Sequence, residues 1–191
     1  MTFRFTSKLV AILAAQLIFS VFLTGQARVN PQAEAMAHFS ERVAAYLVLQ
    51  KKVEGKLTSQ KETNDPERIK IHVTNLANGI RAARAGAKPG DIFNGAAEQF
   101  RHSIQEDAKD RSVRDAFAAM QEVPKRTPPR VNADYPETAA LETVPPLILK
   151  RLQQLPDGLE YRFMGRDLIL RDSKANLIVD VLKEAAPTTG R

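Results

Sequence analysis

The apolar residues change their period at Pro156 and Gly158. Upstream they recur every three to four positions, the spacing of one helix face; downstream they alternate, the spacing of a strand. A chain that makes this switch once, near its end, closes a set of helices onto a small sheet. The expected class is α+β, predominantly helical, with four to five helices and a three-stranded antiparallel β-meander at the C-terminus.

The alternating segment, "LEYRFMGRDLILRDSKANLIVDVL", carries its own register. Gly165-Arg166 is a two-residue turn with glycine first, so Met164 and Asp167 close a hairpin. Glu160 then faces Arg171, Tyr161 faces Leu170 and Phe163 faces Leu168. Tyr161, Phe163, Leu168 and Leu170 share one face, and Glu160, Arg162 and Arg171 share the other. Asp172 starts the next turn, "SKAN", where its carboxylate can accept neighbouring N–H groups and Asn176 tolerates the left-handed conformation. With Leu177 opposite Asp172, Val179 and Val181 join the apolar face and Asp180 joins the charged one. Such a meander is marginal alone, so the helices are expected to cover its apolar face.

Those helices begin with clear signals. Asn30-Pro31 starts the first, with Met36, Phe39, Val43, Tyr46 and Leu47 on one stripe, Lys51 and Lys52 near its end, and Gly55 as a left-handed stop. Asp65-Pro66 starts the second, whose inward stripe is Ile69, Val73, Leu76, Ile80 and Ala83. Phe93, Ala97, Phe100 and Ile104 make a third stripe, and Val113, Phe117 and Met120 a fourth. Nine residues from Ile104 to Val113 put the last two out of phase, so a break is expected near 108–112. "VPKRTPPRVNADYP" has four prolines and no period, and reads as an extended surface strap. Thr143-Val144-Pro145-Pro146 introduces a short helix with Ile148, Leu149 and Leu152 inward. The helical body is thus 31–122, the proline-rich connector 123–142, and the short helix with the meander 143–185.

The N-terminus is of a different kind. Arg4 and Lys8 precede a 15-residue apolar run, Leu9 to Leu23, and "TGQARVN" follows, with Gly25 and Ala27 as small residues. This is the pattern of a secretory signal peptide, 1–27, cleaved after Ala27. The run is shorter than the roughly 20 residues needed to span a bilayer. Cleavage of 27 from 191 residues leaves 164, residues 28–191, enough for a single domain. It removes two bases and no acids, which takes the net charge from +6 to +4. An exported chain with so diffuse an excess is not expected to bind nucleic acid. The absence of cysteine excludes disulfides, thiol catalysis and cysteine metal sites.

Few residues are arranged for chemistry. Glu98, His102 and Glu106, spaced four and four, lie on adjoining turns and form a weak candidate metal trio. His102 lies opposite the apolar stripe, so the trio also reads as a solvated face. His38 lies opposite its stripe and His72 flanks one. Arg81 and Arg84 could contact phosphate, or simply satisfy the carbonyls at a helix end. Asp167, Asp172 and Asp180 would suit acid-base work. Yet Asp167 and Asp172 stand at opposite ends of one strand, about 17 Å apart, beyond the roughly 5–10 Å of carboxylate pairs. No catalytic residue, cofactor or nucleotide motif can be assigned.

The segments "TVPPLILKRLQQLPDGLEYRFMGRDLILRDSKANLIVDVL" and "IRAARAGAKPGDIF" resemble a group of exported bacterial proteins of uncharacterised function. The group has a signal peptide, a helical body and a C-terminal YRF-x-GR-x-LIL-x-D-x-x-AN-x-I-x-D segment. The resemblance implies export to the periplasm or beyond, and no activity. The expectation is a non-enzymatic envelope module that binds a protein, glycan or lipid, touching membrane only through its signal segment. The alternatives are an envelope hydrolase whose carboxylates meet only in the fold, and a membrane-tethered accessory protein that retains its signal.

Overall fold

A computed structural model describes residues 30–57, 64–121, 127–136 and 144–188. The expected signal segment and its cleavage point lie outside these residues. The described chain holds five helices and one three-stranded antiparallel sheet, an α+β architecture. No described helix is long and apolar enough to cross a membrane.

Helix α1 (Pro31–Glu54) buries Phe39, Val43, Tyr46, Gln50 and Val53, a stripe at helical spacing. Gly55 does not adopt the expected left-handed conformation. Its N–H instead bonds the Lys51 carbonyl at 2.9 Å and prolongs the last turn. Helix α2 (Pro66–Ala83) starts where Asp65 caps the N–H of Glu67 at 3.0 Å. Its stripe is inward only in the later turns: Leu76, Ala77 and Ile80 are buried, but Ile69 and Ala83 are exposed. α2 packs on α1 with Gly79 against Val53, where a Cβ would overlap the valine side chain.

The phase mismatch after Ile104 resolves as two helices, α3 (Ala97–Asp107) and α4 (Arg111–Gln121). Asp110 accepts from the Ser112 N–H at 2.8 Å and restarts the chain in the new direction. Helix α5 (Pro146–Arg151) buries Ile148, with Leu152 just after it, whereas Leu149 is 44% exposed rather than inward. Ile148 and Leu152 are one turn apart and share a line, which leaves Leu149 off to the side.

Strands β1 (Leu159–Met164) and β2 (Asp167–Asp172) pair in the register set by the Gly165 turn, from Met164↔Asp167 to Leu159↔Asp172. Gly165 has φ +63°, and Arg166 has no positive φ, as a turn with glycine first requires. β3 (Leu177–Leu182) departs from expectation. Asp172↔Leu177 and Arg171↔Ile178 are followed by Leu170↔Asp180, so Val179 is an extra, bulged residue. The bulge turns Asp180 toward the helices and moves Val181 to the opposite face, the reverse of the simple alternation.

Helices cover one sheet face. Phe39, Phe93, Phe100 and Tyr161 form a ring cluster with neighbouring centroids 4.9–5.9 Å apart, and Phe117 meets Phe163 at 5.2 Å. The strap covers the other. Asn132 donates to Ile178, Ile178 to Ala133 and Tyr135 to Asn176, all backbone bonds of 2.8–2.9 Å along the outer edge of β3. Val131, Ala133 and Tyr135 then pack on Met164, Ile169, Ile178 and Val181. The described part of the proline-rich connector, 127–136, thus finishes the sheet through residues 131–135, hiding its apolar second face and the edge of β3. The rest of the expected connector lies outside the described residues.

Candidate functional site

The acids of the meander are spoken for. Asp172 is fully buried, and its two oxygens take four bonds. Oδ2 accepts from the Tyr46 hydroxyl at 2.6 Å and Gln50 Nε2 at 2.5 Å, and Oδ1 from the N–H groups of Lys174 and Ala175 at 2.8 and 3.0 Å. The expected turn bonds are therefore joined by two from α1. Asn176 beside it has φ +49°.

Asp180, also fully buried, accepts from the N–H groups of Gly90, Ile92, Phe93 and Val181 at 2.7–2.8 Å. Burial pushes this carboxyl up from its ordinary range, and those four bonds act against the rise. Asp167 accepts from the Glu184 N–H at 2.8 Å, where the chain turns back past the hairpin tip. No two of the three acids share a partner, and each closes a different segment onto the sheet.

Glu160 bonds Arg171 at 2.5 Å across the strands and Arg162 at 2.6 Å along its own strand. Arg171 continues to Asn176 Oδ1 at 2.8 Å and lies 4.4 Å over the Tyr135 ring. Burial would raise the Glu160 carboxyl, but the two guanidiniums outweigh it and hold it below the usual range.

Arg81 and Arg84 do more than finish their helix. Arg81 Nε donates to the Asn132 carbonyl at 2.9 Å, and its guanidinium also meets Asp134. Arg84 bonds the Val179 carbonyl at 3.0 Å and receives Asn132 Nδ2 on its own carbonyl at 2.8 Å. Together they tie α2 to the strap and to the bulge.

The candidate metal trio does not converge. Glu98 pairs with Arg101 at 2.7 Å, Glu106 with Lys109 at 2.7 Å, and His102 is exposed. The bond from Lys109 holds Glu106 below the usual carboxylate range. Among the described residues no group of three His, Cys, Asp or Glu side chains could hold a metal. His38 pairs with Glu41 at 3.0 Å, and His72 lies 4.0 Å from Glu54.

A groove of about 560 Å³ opens between the start of α1, the outer face of α3 and the end of α5. Its floor is Met36, Phe100 and Leu152, and its walls carry Gln99, Ser103 and His102, with Arg151, Gln153 and Gln154 opposite. Arg151 is anchored from behind by an ion pair: its Nε lies 2.6 Å from Asp107 Oδ1, and the Asp107 side chain is only 6% exposed. Neither Asp107 nor this groove stands out in the sequence. The nearest local signal is "LQQLP", where two exposed glutamines sit between Leu152 and Leu155.

A scan against protein-family models finds no match, and searches among curated proteins and solved structures find none.

Proposed function

We propose that the chain is a non-enzymatic binding module of a bacterial envelope, exported through residues 1–27, whose ligand site is the groove between α1, α3 and α5. The carrying observation is the saturation of Asp172 and Asp180. With four donors on each carboxylate, neither has a lone pair free to take a proton from water or to attack a substrate. The hydrolase reading needs these acids to converge, and each instead fastens a separate segment. The groove is concave and mixes an apolar floor with hydrogen-bonding walls, the make-up of a recognition site.

A photocrosslinking side chain at Gln154, activated in the intact envelope, tests this reading. Adducts absent when the same group sits at Glu41, on an exposed face of α1, support it; identical patterns from both positions contradict it. Mass spectrometry of the same material tests export: an N-terminus near Arg28 fits a cleaved signal, and one at Met1 fits the tethered alternative.

A further inference from the structure

We propose that the α1–α3–α5 groove takes an uncharged glycan chain, an inference that rests on the binding-module reading and gives it a ligand class. Four glutamines, Gln32, Gln99, Gln153 and Gln154, line the groove beside Glu98, His102, Ser103 and Arg151, and an amide offers two donors and an acceptor with no net charge. Adjacent hydroxyl and acetamido groups of a sugar require that mixture within a few ångströms. Met36 and Leu152 give the floor an apolar strip against which the C–H face of a sugar ring can lie.

The charges at the site are compensated in pairs. Glu98 is engaged by Arg101, and Arg151 by the buried Asp107. An anionic ligand therefore meets no surplus cation, and an acyl chain meets a floor ringed by amides. Arg151 still has hydrogen bonds to give. Its Nε faces Asp107, while its side chain is 62% exposed and lines the groove with Gln153 and Gln154, bringing a planar fork of donors to it. Asp107 Oδ2 is buried with no hydrogen-bond partner, so the guanidinium is held through one carboxylate oxygen only.

The test is an NMR titration of the isotope-labelled protein, as recovered from cells, with two neutral probes: the β-1,4-linked tetramer of N-acetylglucosamine and maltotetraose. An oligoglutamate peptide and phosphatidylglycerol vesicles are titrated in parallel. The inference expects one of the sugars to shift the signals of His102, Ser103, Gln153 and Gln154, with an affinity unchanged by added salt. Gln153→Ala with Gln154→Ala should weaken that binding by about tenfold or more. Both side chains are exposed, and the Gln153 carbonyl that accepts from Tyr161 is kept, so the fold survives the change.

Groove shifts with neither sugar, or equal affinity in the double variant, overturn the inference. Groove shifts caused only by the peptide or the vesicles overturn the glycan while leaving the binding module in place. The module itself falls on the separate crosslinking result at Gln154.

Discussion

Tyr46 donates its phenol hydroxyl to Asp172 Oδ2 at 2.6 Å, joining α1 to the β2–β3 turn across 126 positions of sequence. Burial raises the Tyr46 pKa, and the charge and hydrogen bond of Asp172 raise it further, against a smaller opposite effect of Arg84. A folded pKa above the unfolded value of about 10 favours the protonated phenol in the folded state. That stabilisation is complete below pH about 10 and is lost as the pH rises toward the folded value. Tyr161 is raised by burial in the same sense.

Tyr46→Phe is therefore expected to cost about 1.5–3 kcal/mol at neutral pH, the range for a hydrogen bond to a charged group. Urea unfolding measures it. Above pH about 10 the wild type should lose stability more steeply than the variant. Parallel curves would show that the Tyr46 bond contributes little.

Glu160 titrates with the opposite sign. Its folded pKa is depressed, so its contribution is present above the unfolded value of about 4.3 and lost as the pH falls through the folded one. Glu160→Gln should be destabilised most at neutral pH, and the gap to the wild type should close on acidification. A gap of equal size at pH 7 and pH 3, by the same unfolding measurement, would assign the loss to packing instead.

Gly165 holds φ +63°, yet nothing lies within 4 Å of the position a Cβ would take. Gly165→Val therefore meets backbone strain without a clash, about 1–3 kcal/mol. Gly165→Asn should lose less, since asparagine accepts positive φ more readily. Calorimetry that ranks the two melting temperatures the other way would contradict this.

Gly79 poses a contest between two effects. Alanine gains up to about 1 kcal/mol of helix propensity there, but its methyl overlaps Val53. Overlap should win, so Gly79→Ala destabilises the protein, and adding Val53→Ala should recover part of the loss. A double-mutant cycle with no coupling would mean that α1 and α2 do not rely on this close approach.

The parts of the fold that were legible in advance are those set by neighbours in sequence. Asp65-Pro66 announces α2, the nine residues from Ile104 to Val113 require a break, and Gly165 sets the β1–β2 register. The bulge at Val179 was not legible, because one extra residue leaves the local pattern intact while reversing which face Asp180 takes. Partners of the buried acids were also hidden: Asp180 is satisfied by a loop 87–90 positions away, and nothing in "IVDVL" names it. The groove was hidden for the same reason, since its lining comes from three stretches far apart in sequence, at 32–36, 98–103 and 151–154.

The central claim is that the sheet's buried acids hold the fold together and do no chemistry. Urea unfolding of Asp180→Asn, with amide exchange followed at Gly90, Ile92 and Phe93, tests it most directly. An asparagine keeps one acceptor oxygen and presents an NH₂ where the other stood, which leaves part of the N–H cluster unpaired. The expected result is a loss of about 3 kcal/mol or more, with faster exchange at all three amides. Unchanged stability and exchange, together with loss of a measurable activity, would contradict the claim and make Asp180 a catalytic group.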